Sequence, residues 1–479
     1  MKHQIQLYYK NATAEVIGSE HGIPDTELIR SLDKLSRNLV KLRSNSELRK
    51  KEDAFRRLPF ETETPKRVKE LAGSLRGDCE NLVVLGIGGS ALGNIAVQTA
   101  LNPYMYHLDD SVRRGKPGLF VFDNVDPAQF GSFLGWIGER LDKTVFNVIS
   151  KSGKTAETAS QFLVVRNMLL DKLGKDGLKK NVIATTDPEK GLLRKIADET
   201  GMRSLEVPSD VGGRFSVLSA VGLFSAAMCG IDIDGLLAGA RDMDKRVSSE
   251  ELKSNPAAII AALHYYFYRQ GKRISVMIPY SWALKDFADW YRQLLAESLG
   301  KSKDWSGKEV HIGITPVKAL GATDQHSQVQ LYREGPNDKV FTFLEVADFG
   351  RKVITPTAPK EAGELEFLAG KDLGELLNCE KKATEYALRQ DKCPCISIIF
   401  PQVNAYTVGG FIYLYETAIT FMGALFEINP FDQPAVELGK EATFALMGMK
   451  GYCKLANSDY SEFAEKIRAS TEVDEKYLV

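Results

Sequence analysis

Three hydroxyl residues and two lysines share the positions Ser150-Lys151-Ser152-Gly153-Lys154-Thr155, between the apolar run Val145–Ile149 and a helical pattern opening at Ala156. Backbone N–H groups at a helix start, the positive end of the helix dipole and hydroxyl groups together make a phosphate site. Gly153-Lys154-Thr155 is also how a nucleotide-binding P-loop ends. That motif needs a glycine five positions before Gly153, where this chain has Val148. On the loop alone, a turn that only caps a helix stays open. A second strand-to-helix loop, Gly86–Gly93, fits the dinucleotide pattern through Gly86, Gly88 and Ala91. No ribose-binding acid follows at the end of a second strand about 20 residues on. Close backbone approach to a small ligand at Gly89, with Ser90 as a hydroxyl contact, suits this loop better. Gly212-Gly213 frees the backbone just before Arg214. An arginine presented on such a turn can clamp developing negative charge, although a lone arginine is more often a surface residue.

Gln293 and Glu297 are four apart in a helical pattern from Trp282 to Leu299, so they stack on one line. The core stripe of that helix reads Leu284, Phe287, Ala288, Tyr291, Leu294, Leu295 and Ser298. Gln293 and Glu297 therefore fall on the polar face, facing either solvent or a pocket. Trp290 shares that side and favours the pocket, because an exposed tryptophan would be odd there. Glu297 stands in the last turn before Gly300, where the negative dipole end disfavours a charged carboxylate, as suits a general base. His326, in Gly321–Ser327, lies at a helix start beside hydroxyl and carboxamide neighbours that can orient a proton shuttle. Lys440, after the turn Phe431–Gly439, would alone be a surface lysine. The six histidines form no HxH, HxxxH or HExxH group, so no histidine-built metal centre is expected.

These residues need elements to hold them. Leu82–Leu85, Val145–Ile149, Val182–Ala184, Ile274–Ile278 and Cys395–Phe400 read as buried strands, each followed by a turn and a helical pattern. Strands alternating with helices predict an α/β fold with parallel sheets covered by helices. Such sheets bind ligands beyond the carboxyl ends of their strands, where the loops above lie. The polar helical stretch Ile231–Lys253, followed by Asn255-Pro256, places a domain division near residue 245, giving 51–245 and 246–479. Residues 1–50 read as helices without a strand, packing on the second domain.

The bulk numbers agree with an ordinary globular protein: 479 residues, 44% apolar and 26% charged. A formal net charge of -1 leaves no footprint for nucleic acid or an anionic membrane. Six cysteines, with only Cys393 and Cys395 close together, suggest buried reduced thiols rather than a disulfide framework or zinc site. Met1–Gln6 lacks the apolar run of a signal peptide, so a cytoplasmic location is expected. Tyr406–Ile428 is long enough to span a bilayer. Glu416 at its middle would cost about a few kcal/mol there, so a buried helix is expected instead.

In wording and order, Gly86–Ser90, Ser150–Thr158, Gly212–Ser216, Gln293–Lys301, Gly321–Gln330 and Phe431–Lys440 resemble the glucose-6-phosphate isomerase family, across nearly the whole chain. The resemblance implies two sugar-isomerase (SIS)-type domains, each a parallel sheet sandwiched between helices, in a homodimer with shared sites. It implies reversible isomerisation of glucose 6-phosphate and fructose 6-phosphate through a cis-enediolate, with no metal and no cofactor. By resemblance, the phosphate loop falls on Ser150, Lys151, Ser152 and Thr155, and the glycine-loop contacts on Gly89 and Ser90. Arg214 matches the arginine that steadies the intermediate, Gln293 a substrate-binding glutamine, and Glu297 the base. His326 matches a ring-opening histidine lent by the partner subunit, and Lys440 an assisting lysine. Lys154 departs from many bacterial members, which have a hydroxyl residue there, and is expected to face solvent. A relaxed isomerase that also accepts mannose 6-phosphate and a non-catalytic sugar-phosphate sensor are the rival readings. Glu297, His326 and Lys440 together argue against the sensor.

Overall fold

The computed structural model describes residues 3–479. Its strands, in chain order, are β1 (Gln6–Tyr8), β2 (Asn81–Leu85), β3 (Gly118–Phe122), β4 (Thr144–Ile149), β5 (Val182–Thr186), β6 (Arg203–Glu206) and β7 (Ile274–Pro279). They continue with β8 (Lys301–Lys303), β9 (Glu309–Ile312), β10 (Thr315–Lys318), β11 (Lys339–Val346) and β12 (Cys395–Phe400), ending in β13 (Tyr452–Cys453) and β14 (Ser458–Asp459).

Two five-stranded sheets organise the chain up to Pro430. The first has the order β3-β2-β4-β5-β6 and is parallel throughout. Val83, Leu85, Phe146, Val148 and Val182 point to one face, where Phe130, Phe133, Phe162, Val165 and Leu193 of three helices cover them. The alternate residues of the strands point to the opposite face, against which helix Ala220–Met228 lies on β2. The second sheet has the order β1-β12-β11-β7-β10. Its four later strands are parallel, with Val276, Ile278, Phe341, Phe343 and Cys395 in one cluster.

All five strands expected from the sequence are present. The expectation that residues 1–50 hold no strand is corrected by β1, which pairs antiparallel with β12 from Gln6–Ile399 to Tyr8–Ser397. Helix Asp25–Ser44 packs on helices Pro256–Arg269 and Ala405–Phe426. In that last helix Thr407–Leu425 is buried without a break, as expected of a core element. All six cysteines are free thiols; five are buried as expected, and Cys379 is exposed.

The order of the first sheet reverses at β2: the chain adds β3 on one side and then returns to place β4 on the other. The carboxyl ends of β2 and β4 thus flank a switch point, the crevice where open α/β sheets receive ligands. Gly86–Ser90 leaves one of these ends and Ser150–Thr155 the other. Helix Lys285–Leu299 packs both on β7 and β10 of the second sheet and on helix Leu92–Leu101, which follows the glycine loop of the first. Its predicted core stripe is buried from Leu284 to Ser298.

Residues 431–479 form a separate unit. Helices Glu437–Leu446 and Tyr460–Thr471 join the β13–β14 hairpin around Ala445, Cys453, Tyr460 and Ala464.

Candidate active site

The phosphate-type loop is fastened from behind. Thr186 at the end of β5 donates its hydroxyl to the Ser150 carbonyl at 2.8 Å and to the Lys151 carbonyl at 3.2 Å. Leu192 N–H donates to the Ser152 carbonyl at 2.9 Å. With these carbonyls turned back, the hydroxyls organise the front: Ser150 Oγ accepts from Gly153 N–H at 3.0 Å and lies 3.3 Å from Thr155 Oγ1. Ser152 Oγ accepts from Lys154 N–H at 3.2 Å. Gly153 has φ +69°, and a Cβ there would come within 2.2 Å of Leu193 N, so only glycine fits. No side chain caps the start of helix Ala156–Asn181, so its first amides remain available to an anion.

Lys151, expected among the substrate contacts, also fastens the loop to a distant segment. Its ammonium donates to the carbonyls of Ser209 and, at 3.2 Å, Val211. It thereby ties the loop to the segment leading into Gly212-Gly213-Arg214. Burial, and secondarily the charge of Lys51, push the Lys151 pKa down. Lys154 is exposed, in line with its expected solvent position.

Gly88 and Gly89 allow three segments to meet. A Cβ on Gly88 would lie 2.7 Å from Gln293 Nε2, and one on Gly89 would lie 2.2 Å from the carbonyl carbon of Gly213. The glycine loop therefore rests on both the arginine turn and the helix that carries Gln293. Gln293 Nε2 donates to Glu297 Oε1 at 3.0 Å, and Arg214 Nη1 donates to Glu297 Oε2 at 3.2 Å. Arg214 is buried, with Nε donating to Ser298 Oγ and Nη2 to the Pro430 carbonyl, each at 2.7 Å. Lys301 Nζ donates to the Glu297 carbonyl at 2.7 Å and so caps the helix end against which the carboxylate was expected to stand. Glu297 keeps about a third of its side-chain surface, 32%, open. A carboxylate open over about a third of its side-chain surface, with a donor on each oxygen and a glycine loop beside it, can exchange protons with a small ligand.

Trp290 corrects one step of the sequence argument. It does not line this pocket but packs edge-on to Phe287 and lies 6.3 Å from Phe411, in the core. The even choice on helix pattern between solvent and pocket is decided by Arg214 and Gly88 instead.

The cluster gathers Gly89, Ser90, Arg214, Gln293 and Glu297, with the Ser150–Thr155 loop at the neighbouring strand end. His326 takes no part in it. It is exposed, in the turn Thr323–His326, whose Gln325 donates to Tyr280 OH and Thr384 Oγ1 at 2.7 Å each. Lys440 belongs to the C-terminal unit, where its ammonium donates to Glu437 at 2.7 Å. Ser298, Lys301 and Thr186 were not singled out from sequence. The first sits in the apolar stripe and the last inside a strand, where a hydroxyl carries no signal of its partner. A cavity of about 710 Å³ lies at the opposite end of the first sheet, around Asn81 and Lys143. Its Arg113, Lys143 and Lys180 are paired with Asp110, Glu80 and Asp78, and it holds none of the residues named above.

The family model for phosphoglucose isomerase matches residues 62–461. A glucose-6-phosphate isomerase of Carboxydothermus hydrogenoformans is 50% identical over 421 residues, covering 88% of this chain and 90% of that protein. One of Rubrobacter xylanophilus is 43% identical over 400 residues, covering 83% and 90%. Among solved structures, a hypothetical protein of Thermus thermophilus superposes with a TM-score of 0.81 at 32% identity, over 93% of this chain and all of that one. A glucose-6-phosphate isomerase of Chlamydia trachomatis shares the fold with a TM-score of 0.72 at 24% identity, over 85% of this chain and 76% of that one.

Proposed function

Because the chain belongs to the phosphoglucose isomerase family and so interconverts glucose 6-phosphate and fructose 6-phosphate, we propose that Glu297 is the base that moves the proton. The observation that carries this reading is the carboxylate itself, half-open and gripped by Gln293 and Arg214 beside the glycine loop. The phosphate of the sugar binds at Ser150, Ser152, Thr155 and the first amides of helix Ala156–Asn181, while Lys151 fixes the loop. Gly89 and Ser90 contact the sugar, and Gln293 orients it.

The cyclic sugar is opened by moving a proton from the O1 hydroxyl to O5 as the C1–O5 bond breaks. His326 and Lys440 are the acid–base groups for this step. Glu297 then removes the C2 proton of the aldose, giving a cis-enediolate; as a proton returns to C1, the O2 hydroxyl proton passes to O1, leaving the ketose. C1 and C2 are adjacent, so one base on one face serves both. Arg214 offsets the oxyanion charge, a contribution of about 3–4 kcal/mol for a preorganised donor of this kind. No metal and no redox cofactor enters these steps.

The exposed His326, outside the cluster of its own chain, supports a homodimer in which each copy lends this residue to the other's site. The two sheets support a division near residue 245, into 51–245 around the first sheet and 246–479 around the second, the latter continuing into the separate unit 431–479. The cytoplasm is the proposed location, as for an enzyme of sugar phosphates.

Incubation with fructose 6-phosphate, with glucose 6-phosphate followed through a coupled dehydrogenase and EDTA present, tests the reading. Turnover should persist. No turnover would sink the isomerase reading, and turnover abolished by EDTA would sink its metal-free form.

A further inference from the structure

We infer that Ser298 is a positioning residue that aims Arg214 at Glu297; this rests on the roles proposed above for those two residues. By spacing, Ser298 occupies the last place in the buried stripe of helix Lys285–Leu299, where an apolar residue would pack. It is fully buried, yet its hydroxyl oxygen accepts from Arg214 Nε at 2.7 Å.

A guanidinium is a rigid planar fork, so acceptors on two of its nitrogens set the position of the third. Ser298 Oγ holds Nε, the Pro430 carbonyl holds Nη2, and Nη1 is thereby placed 3.2 Å from Glu297 Oε2. Ser298 is the neighbour of Glu297 on one helix. The distance between arginine and base is therefore referred to helix geometry rather than to the glycine turn that carries Arg214. The Arg214 side chain is 2% exposed, so water does not replace the hydroxyl when it is removed. A buried Nε–H without an acceptor would drive the guanidinium to another position.

Ser298→Val and Ser298→Thr test the inference, because they share a shape and differ in the hydroxyl. Ser298→Val should lower kcat by about tenfold or more with KM within about threefold, the scale expected for a buried donor left unpaired. Ser298→Thr should stay within about threefold of the parent in both, since it restores the acceptor. Thermal melting checks that both fold; if either does not, Ser298→Cys, of similar size but a weaker acceptor, should show the same loss of kcat. Unchanged kcat in Ser298→Val or Ser298→Cys, or equal losses in Ser298→Val and Ser298→Thr, would overturn the role. Glu297→Gln is assayed alongside. If it still turns over, the underlying reading of the base has failed; if it is dead while Ser298→Val is normal, only the role of Ser298 has failed.

Discussion

Arg214 and Glu297, 83 positions apart in the chain, meet at 3.2 Å through Nη1 and Oε2. One comes from a glycine turn beside the first sheet and the other from the helix that joins the two sheets. Neither is exposed enough for the contact to be an ordinary surface ion pair, whose worth would be small.

Glu297→Gln keeps the shape and a hydrogen-bonding group but cannot take the C2 proton. Turnover should fall by roughly 10²–10⁴-fold or more, the range for loss of a general base. Binding of a sugar phosphate, read by calorimetry, should persist. Retained turnover would remove Glu297 from its role.

His326→Ala and Glu297→Gln, each made in a separate chain, should complement each other if the sites are shared. After the two are unfolded together and refolded, half of the dimers are hybrids, and one of the two sites in each hybrid is intact. About a quarter of parental activity should return. No recovery would place His326 and Glu297 of one chain in the same site.

Thr186→Val removes the hydroxyl that holds the Ser150 and Lys151 carbonyls. The loss of about 1 kcal/mol for a buried hydrogen bond should appear as a rise of about fivefold in KM for fructose 6-phosphate. An unchanged KM would show that the loop keeps its shape without this tether.

His264 is buried, and its Nδ1 faces the Ile260 carbonyl at 2.9 Å, so the neutral ring must carry its proton there. Nε2 then accepts from Ser275 Oγ at 3.1 Å, which in turn accepts from Tyr291 OH of the Glu297 helix at 2.8 Å. Burial lowers its pKa from 6.5 to about 4. Between those values the unfolded chain binds the proton and the native chain does not. Stability should therefore be full above pH 6.5 and fall as pH drops toward about 4, by a total of about 3 kcal/mol. Urea midpoints across that window should show the slope, and His264→Gln should flatten it.

Glu416 presents the opposite sign. Both of its carboxyl oxygens are buried without a hydrogen-bond partner, and burial raises its pKa well above 4.5. The native state holds this proton more tightly than the unfolded chain. Stability from this group is therefore full below pH 4.5 and lost as pH rises from there. Glu416→Gln should gain on the parent progressively with rising pH, measured by urea midpoints; parallel curves would contradict it.

The legible part of the site consists of loops with unusual composition: Ser150–Thr155, the glycine run at Gly86 and the paired glycines before Arg214. For the first two, the position at a strand end followed from the alternation of apolar runs and helical patterns. What stayed hidden depends on partners distant in sequence. β1 has only three residues and owes its strand form to pairing with β12. The eight residues of β11 bury both faces and carry no alternation to mark them. Trp290 looked like a pocket residue because its partner Phe411 lies on another helix. The tether made by Lys151 stayed hidden because the carbonyls it holds come from a segment about 60 residues away.

Thr186 and Leu192 fix the Ser150–Thr155 loop, the proposed phosphate site, through the chain's own hydrogen bonds. The entropy of ordering that loop is thus surrendered once, when the chain folds, rather than at each encounter. More of the attraction between amides and phosphate remains to constrain the rest of the sugar. If the sugar phosphate binds there as proposed, that attraction can favour the open-chain form at C1 and C2, and a group far from the reacting carbons would help to set the rate as well as the affinity.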